Sequence, residues 1–307
     1  MIFLPAPSIE HPDVMLFGHG LVGQAVSDAL QQQQARALKR IAYNWQDSFQ
    51  RSETQTRLAA QAKAGQDIQI VWTAGRAGFG STSDEMARET DLLVEILAFA
   101  SDLAATDRHL AFHFTSSAGG LFEGLTEVTH DTVPQPQRPY GKEKIRQEQM
   151  VTQAGQEAGF DTRIYRLSSV YGYAPKARLG LISALIVNAL NDTPTPITGD
   201  IDTLRDYVFA PDIGRFIVDQ LAMRGPSCVP FLLASGTSAS IATIIDLVQA
   251  GMSKPLLLDQ QKVATNTAHM SFTPQSLPDG WTPSPLEDGI RQTIKLACHH
   301  LDEGHAP

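Results

Sequence analysis

The sequence of 307 residues predicts an α/β fold, with a doubly wound parallel sheet followed by a smaller C-terminal α/β lobe. Short apolar runs alternate with longer segments of helical periodicity through residues 1–172, and this alternation is typical of βαβ units. Beyond residue 172 the strands are shorter and less regularly spaced. Hydrophobic residues make up 42% of the chain, which is enough for a sizeable core. We therefore expect a Rossmann-like sheet.

The elements of the first half follow from apolar runs and from the residues that end them. The first strand is predicted at 14–17, where the run stops at Gly18, and the next helix at 21–30, where apolar residues recur at helical spacing. Further strands are predicted at 38–43, 68–72, 110–117 and 162–167. Further helices are predicted at 83–103 and from Pro139 past Met150.

The second half alternates helices with short strands. Helices are predicted at 181–190, 212–223, 241–248 and 286–301, and Pro211 suits the first turn of the second of these. Short strands are predicted at 207–209, 231–233 and 256–258. We expect a first domain at 1–172, with a return segment near 205–236, and a second lobe at 173–307.

Composition and charge exclude several classes of protein. A net charge of −9 opposes binding to nucleic acid, whose backbone requires clustered Lys and Arg. No apolar run approaches the roughly 18 residues that cross a bilayer, and residues 1–13 lack the pattern of a signal peptide. The two cysteines, Cys228 and Cys298, make neither a disulfide framework nor a metal site. We expect a soluble, cytoplasmic protein without a metal, a membrane partner or a nucleic-acid partner.

A glycine-rich turn joins the first predicted strand to the first predicted helix. Gly18, Gly20 and Gly23 fit the pattern G-x-G-x-x-G. Gly18 permits the tight turn, Gly20 lets the backbone approach a pyrophosphate, and Gly23 lets helix and strand pack closely. Leu21 and Val22 open the helix, whose free N–H groups and partial positive charge attract a phosphate. An ordinary glycine turn is the alternative, but the flanking strand and helix favour a site for NAD or NADP.

The choice between the two dinucleotides depends on the end of the second predicted strand. An acidic residue there grips the adenosine ribose of NAD, but the sequence has Asn44 at this position, and Asp47 comes late. Arg40 and Arg51 are near enough in sequence to meet the 2′-phosphate of NADP, although a lone arginine is commonly a surface charge. We assign Asn44 to the cofactor site and leave NAD and NADP open, with a slight preference for NADP.

Three residue types that support hydride transfer at a carbinol are predicted to converge. Tyr140 and Lys144 are four residues apart, so a helix places both side chains on one face. Ser116 and Ser117 end a strand at the carboxyl edge of the sheet, where open α/β proteins bind ligands. The serine hydroxyl hydrogen-bonds the substrate oxygen, the tyrosine exchanges its proton, and the lysine ammonium favours the phenolate. A solvated Tyr–Lys pair is the alternative, which the glycine turn upstream disfavours.

Five groups of segments, in the family's order, resemble the extended short-chain dehydrogenases/reductases, and among them the NAD-dependent epimerase/dehydratase family. They are FGHGLVG at 17–23, TSS at 115–117 with YGKEK at 140–144, RLSSVYG at 166–172, RDYVFAPD at 205–212, and GWTP at 280–283 with LEDGI at 286–290. The third resembles the family segment R-L-F-N-V-Y-G, and the fourth resembles R-D-Y-V-H-V-D-D.

The resemblance implies catalytic roles for three residues. Ser117 matches the family's catalytic Ser/Thr, with Ser116 beside it. Tyr140 matches the acid/base tyrosine, and Lys144 matches the lysine that also holds the nicotinamide ribose. For the cofactor, the resemblance implies two further contacts: the small residues at 74–75, Ala74 and Gly75, lie beneath its adenine-ribose part, and Tyr171 lies near its nicotinamide.

The implied function is an NAD(P)-dependent oxidoreductase or epimerase that acts on a sugar or sugar nucleotide, in a homodimer formed through the Tyr-bearing helix and its neighbour. Arg205 matches an arginine that meets the substrate's diphosphate. Ser169 stands where the family has an asparagine that touches substrate phosphate, and no second phosphate arginine is evident at 262–272. A non-catalytic NAD(P)-sensing protein is the alternative, but such proteins typically lose the Tyr/Lys pair.

Overall fold

A computed structural model describes residues 1–4, 12–34, 38–62, 66–106, 108–175, 177–227, 229–261 and 267–302. Its helices are α1 (Leu21–Gln34), α2 (Ser48–Gln61), α3 (Ser83–Ala104), α4 (Ala118–Leu121), α5 (Pro139–Ala158), α6 (Leu181–Leu190), α7 (Ala210–Gln220), α8 (Ile241–Gly251) and α9 (Leu286–Asp302). Its strands are β1 (Ile2–Leu4), β2 (Asp13–Phe17), β3 (Lys39–Arg40), β4 (Ile68–Trp72), β5 (Leu110–Ser117), β6 (Asp161–Leu167), β7 (Ser169–Tyr171), β8 (Thr195–Thr198), β9 (Leu204–Phe209), β10 (Phe231–Leu233), β11 (Ser238–Ser240) and β12 (Leu258–Gln261).

The large sheet has seven strands in the order β10-β6-β5-β4-β2-β1-β3. The strands from β10 to β2 are parallel, and Trp72 of β4 pairs with Phe17 on one side and with Phe114 on the other. Helices α1 and α7 pack on one face of the sheet, and α2, α3 and α5 pack on the other. The predicted doubly wound α/β fold is confirmed.

The outer edge of this sheet differs from the prediction. The strand predicted at 38–43 is shorter in the structure, where β3 contains only Lys39–Arg40. Strand β1, which was not predicted, lies between β2 and β3 and is antiparallel to both of them. Ile2 and Phe3 of β1 are each 2% exposed, whereas Lys39 and Arg40 are exposed. An interior strand is buried on both faces. The adjacent apolar side chains of β1 therefore suit the interior position, and the charged pair suits the edge.

Helix α2 has no counterpart among the predicted elements. It buries only Arg51, Thr54 and Leu58, which is too little apolar character for a clear helical period. Its start is instead specified by a cap, because the carboxylate of Asp47 accepts a hydrogen bond from the Gln50 N–H at 3.0 Å.

The C-terminal lobe contains two small sheets and three helices. One sheet has the order β11-β9-β7, and the other pairs β12 with β8. Helices α6, α8 and α9 share a core with the first sheet that includes Ile186, Phe209 and Ile244. The chain returns to the large sheet at α7 and β10, where Phe231 pairs with Tyr165 of β6.

None of the helices in the described ranges combines the length and the apolar character needed to cross a membrane. The same ranges contain no group of three or more His, Cys, Asp or Glu side chains placed to hold a metal ion. Cys298 is a free, half-buried thiol, and Cys228 lies outside the described residues.

A buried polar chain crosses the centre of the large sheet. His113 lies between the Tyr165 hydroxyl, 2.7 Å from Nδ1, and the Gln69 side-chain oxygen, 2.8 Å from Nε2. Burial raises the pKa of Tyr165, so its hydroxyl keeps the proton that it donates to the imidazole. Burial, followed by the positive charge of Arg163, holds the pKa of His113 well below its usual range, so its imidazole is neutral in the folded protein.

This burial predicts a loss of stability in acid. In the unfolded chain His113 takes up a proton near pH 6.5, whereas the folded protein resists protonation. The free energy of unfolding therefore falls as the pH decreases below about 6.5, by up to about 1.4 kcal/mol per pH unit from this group. Urea unfolding of the wild type and of His113→Gln between pH 7 and pH 5 measures the contribution. The variant is less stable at pH 7 but has a shallower pH dependence; equal slopes would contradict the assignment.

Candidate active site

One cleft lies at the carboxyl ends of strands β2, β4, β5 and β6. It collects residues from the glycine turn, from the loops after β4, β5 and β7, and from helices α3 and α5. The lining residues are Gly20, Leu21, Val22, Thr73, Ala74, Gly75, Ala77, Glu89, Thr115, Ser116, Ser117, Tyr140, Lys144, Leu167, Ser168, Val170 and Arg178. The glycine turn and the predicted Ser, Tyr and Lys residues therefore share one cavity.

The glycine turn has the geometry that a phosphate site requires. Gly18 has a φ of +98°, and a Cβ there would overlap the backbone of Ala74. A Cβ at Gly23 would overlap the carbonyl oxygen of Gly18, so the helix packs closely on the turn. Around the Cβ position of Gly20 there is no atom within 4 Å. That open face, at the start of α1, lets a phosphate approach the backbone N–H groups.

The two serines at the end of β5 differ in their hydrogen bonding. Ser117 caps α4, since its Oγ accepts a hydrogen bond from the Gly120 N–H at 3.0 Å. Its own O–H hydrogen is free to be donated into the cleft. The Oγ of Ser116 is buried and has no hydrogen-bond partner within the described part of the chain. A buried polar atom without a partner is costly, so Ser116 fits a ligand in this cleft.

Two glycines seat Tyr140 beside Ser117. A Cβ on Gly141 would overlap the carbonyl oxygen of Gly120, and a Cβ on Gly120 would lie 2.8 Å from the Tyr140 ring. Helix α4 and the first turn of α5 therefore make a backbone contact that side chains would prevent. On the other side, the Phe79 ring lies 6.1 Å from the Tyr140 ring, centroid to centroid.

Lys144 is buried and held by two side chains. Its Nζ lies 2.9 Å from Glu89 Oε1 and 3.0 Å from Gln147 Oε1, and 5.9 Å from the centroid of the Tyr140 ring. Burial alone would lower the pKa of this ammonium, but the Glu89 carboxylate, with a smaller contribution from Tyr140, raises that pKa above its ordinary value. Lys144 is therefore charged, with one N–H left for a further partner.

The residues that sequence patterns missed include Glu89 and Arg178, which line the cleft, and Phe79, which packs on Tyr140. None belongs to a motif, and each reaches the site from an element whose position depends on the tertiary fold. Glu89 comes from a turn of α3 that is otherwise polar at its start, and Arg178 comes from the loop between β7 and α6. The guanidinium of Arg178 contacts Gly78 across the cleft, and a Cβ on Gly78 would overlap it. The only signal in the sequence is the pair of glycines that flanks Phe79.

Tyr171 is a correction to the predicted cofactor contacts. Its ring lies in the core of the C-terminal lobe, 5.4 Å from the Phe209 ring, and its hydroxyl donates to the Leu286 carbonyl at 3.4 Å. Strand β7 points this side chain away from the cleft, which Val170 lines instead. Ser169 is also outside the lining; its neighbour Ser168 lines the cleft and donates to the Asp206 carbonyl at 2.7 Å.

Arg205 lies outside the cleft lining as well. Its guanidinium donates to the backbone carbonyls of Leu204, at 3.1 Å, and Ala268. Arg138 is close enough for its charge to act on Arg205 and is itself paired with Glu123 at 2.9 Å. Burial, together with the like charge of Arg138, lowers the pKa of Arg205. A role in binding substrate phosphate stays a prediction.

At the adenosine end, the residues that the sequence offered are mostly committed elsewhere. Asn44 is exposed, outside the cleft lining, and hydrogen-bonded to Gln50 at 3.2 Å, and its assignment to the cofactor site stays a prediction. Asp47 caps α2. Arg51 makes two bonds to Glu95, of 2.7 and 2.6 Å, so it is not free for a phosphate. Arg40 remains, exposed at the end of β3.

Comparison with known proteins places the chain in a family. The model of the NAD-dependent epimerase/dehydratase family matches residues 14–227. The chain belongs to this family and is an enzyme of the extended short-chain dehydrogenase/reductase type, as the sequence motifs indicated. The dTDP-4-dehydro-6-deoxyglucose reductase of Escherichia coli is 25% identical over 189 residues, which are 59% of this chain and 60% of the reductase. The match thus spans about three fifths of that relative.

Solved structures share the fold over almost the whole chain. UDP-glucose 4-epimerase of Thermus thermophilus, in complex with NAD, has a TM-score of 0.72 at 17% identity and covers 93% of this chain and 98% of its own. The RMD protein of Pseudomonas aeruginosa, complexed with NADPH, has a TM-score of 0.73 at 19% identity, with 92% and 98% covered. Proteins similar to this chain therefore bind either dinucleotide.

The open face of Gly20 yields a test of the phosphate site. Gly20→Ala should leave the free energy of unfolding within about 0.5 kcal/mol of wild type, because its Cβ meets no atom within 4 Å. It should weaken dinucleotide binding at least tenfold by blocking the approach to the backbone. Gly80→Ala is a matched control, since its Cβ is also in open space and it lies outside the cleft lining. Equal affinity in both variants would contradict the site.

Proposed function

We propose that this enzyme is an NAD(P)-dependent oxidoreductase or epimerase that acts on the carbonyl or carbinol of a sugar, free or carried on a nucleotide, by hydride transfer. The observation that carries the proposal is the convergence of Ser117, Tyr140 and Lys144 in the cleft that also holds the glycine turn. The retained Tyr/Lys pair disfavours a non-catalytic NAD(P)-sensing protein. The name of the Escherichia coli relative supports a nucleotide-linked keto sugar as the first substrate to test.

The roles of the three residues follow from their hydrogen bonds. Ser117 accepts from Gly120, so its hydroxyl hydrogen is available to the substrate oxygen. Tyr140 gives up or receives the proton of the reacting hydroxyl. The Lys144 ammonium stabilises the phenolate, and its remaining N–H serves the nicotinamide ribose. When bound, the nicotinamide supplies or accepts the hydride.

Cofactor binding is assigned to the glycine turn and to the small residues opposite it. Gly20, with the N–H groups of Leu21 and Val22, holds the pyrophosphate, and Ala74 and Gly75 leave room for the ribose beside them. The partnerless hydroxyl of Ser116 supports a ligand at this point of the cleft. The residues present therefore fit a dinucleotide.

A homodimer forms, in this proposal, through the outer faces of α3 and α5. A groove between these helices is lined by Val94, Leu97, Ala98, Met150 and Ala154, with Val94 42% exposed. Val94 and Ala98 are exposed and Met150 and Ala154 are half-buried, so this apolar strip on two neighbouring helices suits a second copy of the chain.

The acid/base assignment is tested by Tyr140→Phe, which removes one hydroxyl and little volume. Turnover should fall more than tenfold while dinucleotide affinity stays within about threefold, because the ring and Lys144 remain in place. A panel of keto sugars and nucleotide sugars, starting with dTDP-4-dehydro-6-deoxyglucose, identifies the substrate by oxidation of NADH or NADPH. Tyr173→Phe, a tyrosine outside the cleft lining, is the control. A loss smaller than tenfold would refute the role of Tyr140.

For the dinucleotide, we propose that NADP binds at least as well as NAD, with Arg40 as the partner of the 2′-phosphate. Two carboxylates near this end are engaged within the chain, since Asp47 caps α2 and Asp28 accepts a hydrogen bond from Gln24 at 2.6 Å. Arg40→Gln should weaken NADP about tenfold, the value of one charge-assisted contact, and leave NAD unchanged. Lys39→Gln on the same strand is the control. Calorimetry measures the Kd of NADP and of NAD for the wild type and both variants. A hundredfold preference of the wild type for NAD would overturn the proposal.

A further inference from the structure

Glu89 places a buried carboxylate in the wall of the cleft. The residue is 9% exposed, and its Oε1 lies 2.9 Å from Lys144 Nζ. Among the described residues, its Oε2 has only a long contact, 3.4 Å, with the Ala77 N–H. Both oxygens lie 3.0–3.1 Å from the point that a Cβ on Gly75 would occupy. The carboxylate therefore faces the same part of the cleft as Lys144 and Gly75.

This pair makes the inner cleft electrically neutral. Three charged side chains line the cleft in the described part of the chain, namely Glu89, Lys144 and Arg178, and Arg178 is exposed to solvent at the mouth. Glu148 also acts on Lys144, but it is neutralised by Arg166 at 2.7 Å. The net charge of the buried residues around Lys144 is thus zero. Because these residues are buried, water screens their electrostatic interactions only weakly.

We propose that Glu89 sets the relative affinity of this enzyme for oxidised and reduced nicotinamide, by cancelling the charge of Lys144. The inference rests on the proposed function, in which Lys144 holds the nicotinamide ribose. The oxidised nicotinamide ring carries a positive charge and the reduced ring is neutral. An uncompensated ammonium beside it would repel the oxidised form alone. An enzyme that passes through both redox states in one turnover needs a cleft that accepts both.

The test compares the two redox forms of one dinucleotide. Calorimetry on the wild type, on Glu89→Gln and on Glu143→Gln gives the ratio of Kd for the oxidised form to Kd for the reduced form. Contacts common to both forms, with the phosphates and the riboses, cancel in this ratio. In Glu89→Gln the ratio should rise about tenfold. Glu143→Gln removes the same charge from the α3–α5 interface, where Glu143 accepts from Thr90 at 2.6 Å outside the cleft lining, and should leave the ratio within twofold.

Two further variants make the result independent of how well Glu89→Gln folds. Lys144→Gln leaves the negative charge of Glu89 without its partner. That charge attracts the oxidised ring, so the ratio of Kd for the oxidised form to Kd for the reduced form should fall. The double variant Glu89→Gln/Lys144→Gln is again neutral and should return to the wild-type ratio. Ratios that do not differ between the wild type and either single variant would overturn the role of Glu89. A wild-type protein that binds neither dinucleotide would overturn the proposed function itself.

Discussion

The burial of one ammonium constrains the whole catalytic side of the sheet. Lys144 is 5% exposed, and taking a lysine out of water costs several kcal/mol unless its charge and its N–H groups find partners. Those partners come from two helices, Glu89 on α3 and Gln147 on α5. Removing one partner would leave a buried charge. Helices α3 and α5 can therefore pack here only in the register that brings Glu89 and Gln147 together at Lys144. That register also directs Tyr140, four residues before Lys144, into the cleft.

The same register places Glu143 against α3. In this chain its carboxylate accepts from the Thr90 hydroxyl at 2.6 Å, and Gln147 donates to the same hydroxyl oxygen at 2.9 Å. Thr90 follows Glu89 on α3, so the interface forms one connected polar network. A network whose members are all bonded is more selective for a single packing than an apolar contact of the same area.

The parts of the site that follow from local sequence were predicted, and the parts that depend on distant contacts were not. Gly20 and the Tyr140–Lys144 spacing act within one turn or one helix, so the sequence contains their geometry. Glu89 was missed because a carboxylate in the polar first turns of a helix is ordinary, and only packing against α5 buries it. Tyr171 was placed near the nicotinamide by resemblance, but strand alternation puts its ring in the lobe core.

Of the fold, the strands of the parallel sheet were predicted and its outer edge was not. Strand β1 has only three residues, which is too short for a local pattern to signal it. Its insertion moves β3 to a second-neighbour position, about 10 Å from β2 at the usual strand spacing. After β3 the chain turns back towards β2, where the Tyr43 ring lies 5.4 Å from the Phe17 ring.

The charge of Arg40 acts across this edge of the sheet. Burial, followed by the positive charge of Arg40, lowers the pKa of His19, so the guanidinium acts on the residue next to Gly18 although its backbone is two strands away. Arginine has both the reach and a planar fork that binds phosphate through two N–H groups, whereas an aspartate has neither. The proposed contact between Arg40 and a 2′-phosphate depends on that reach, and so on the position of β3 at the edge of the sheet.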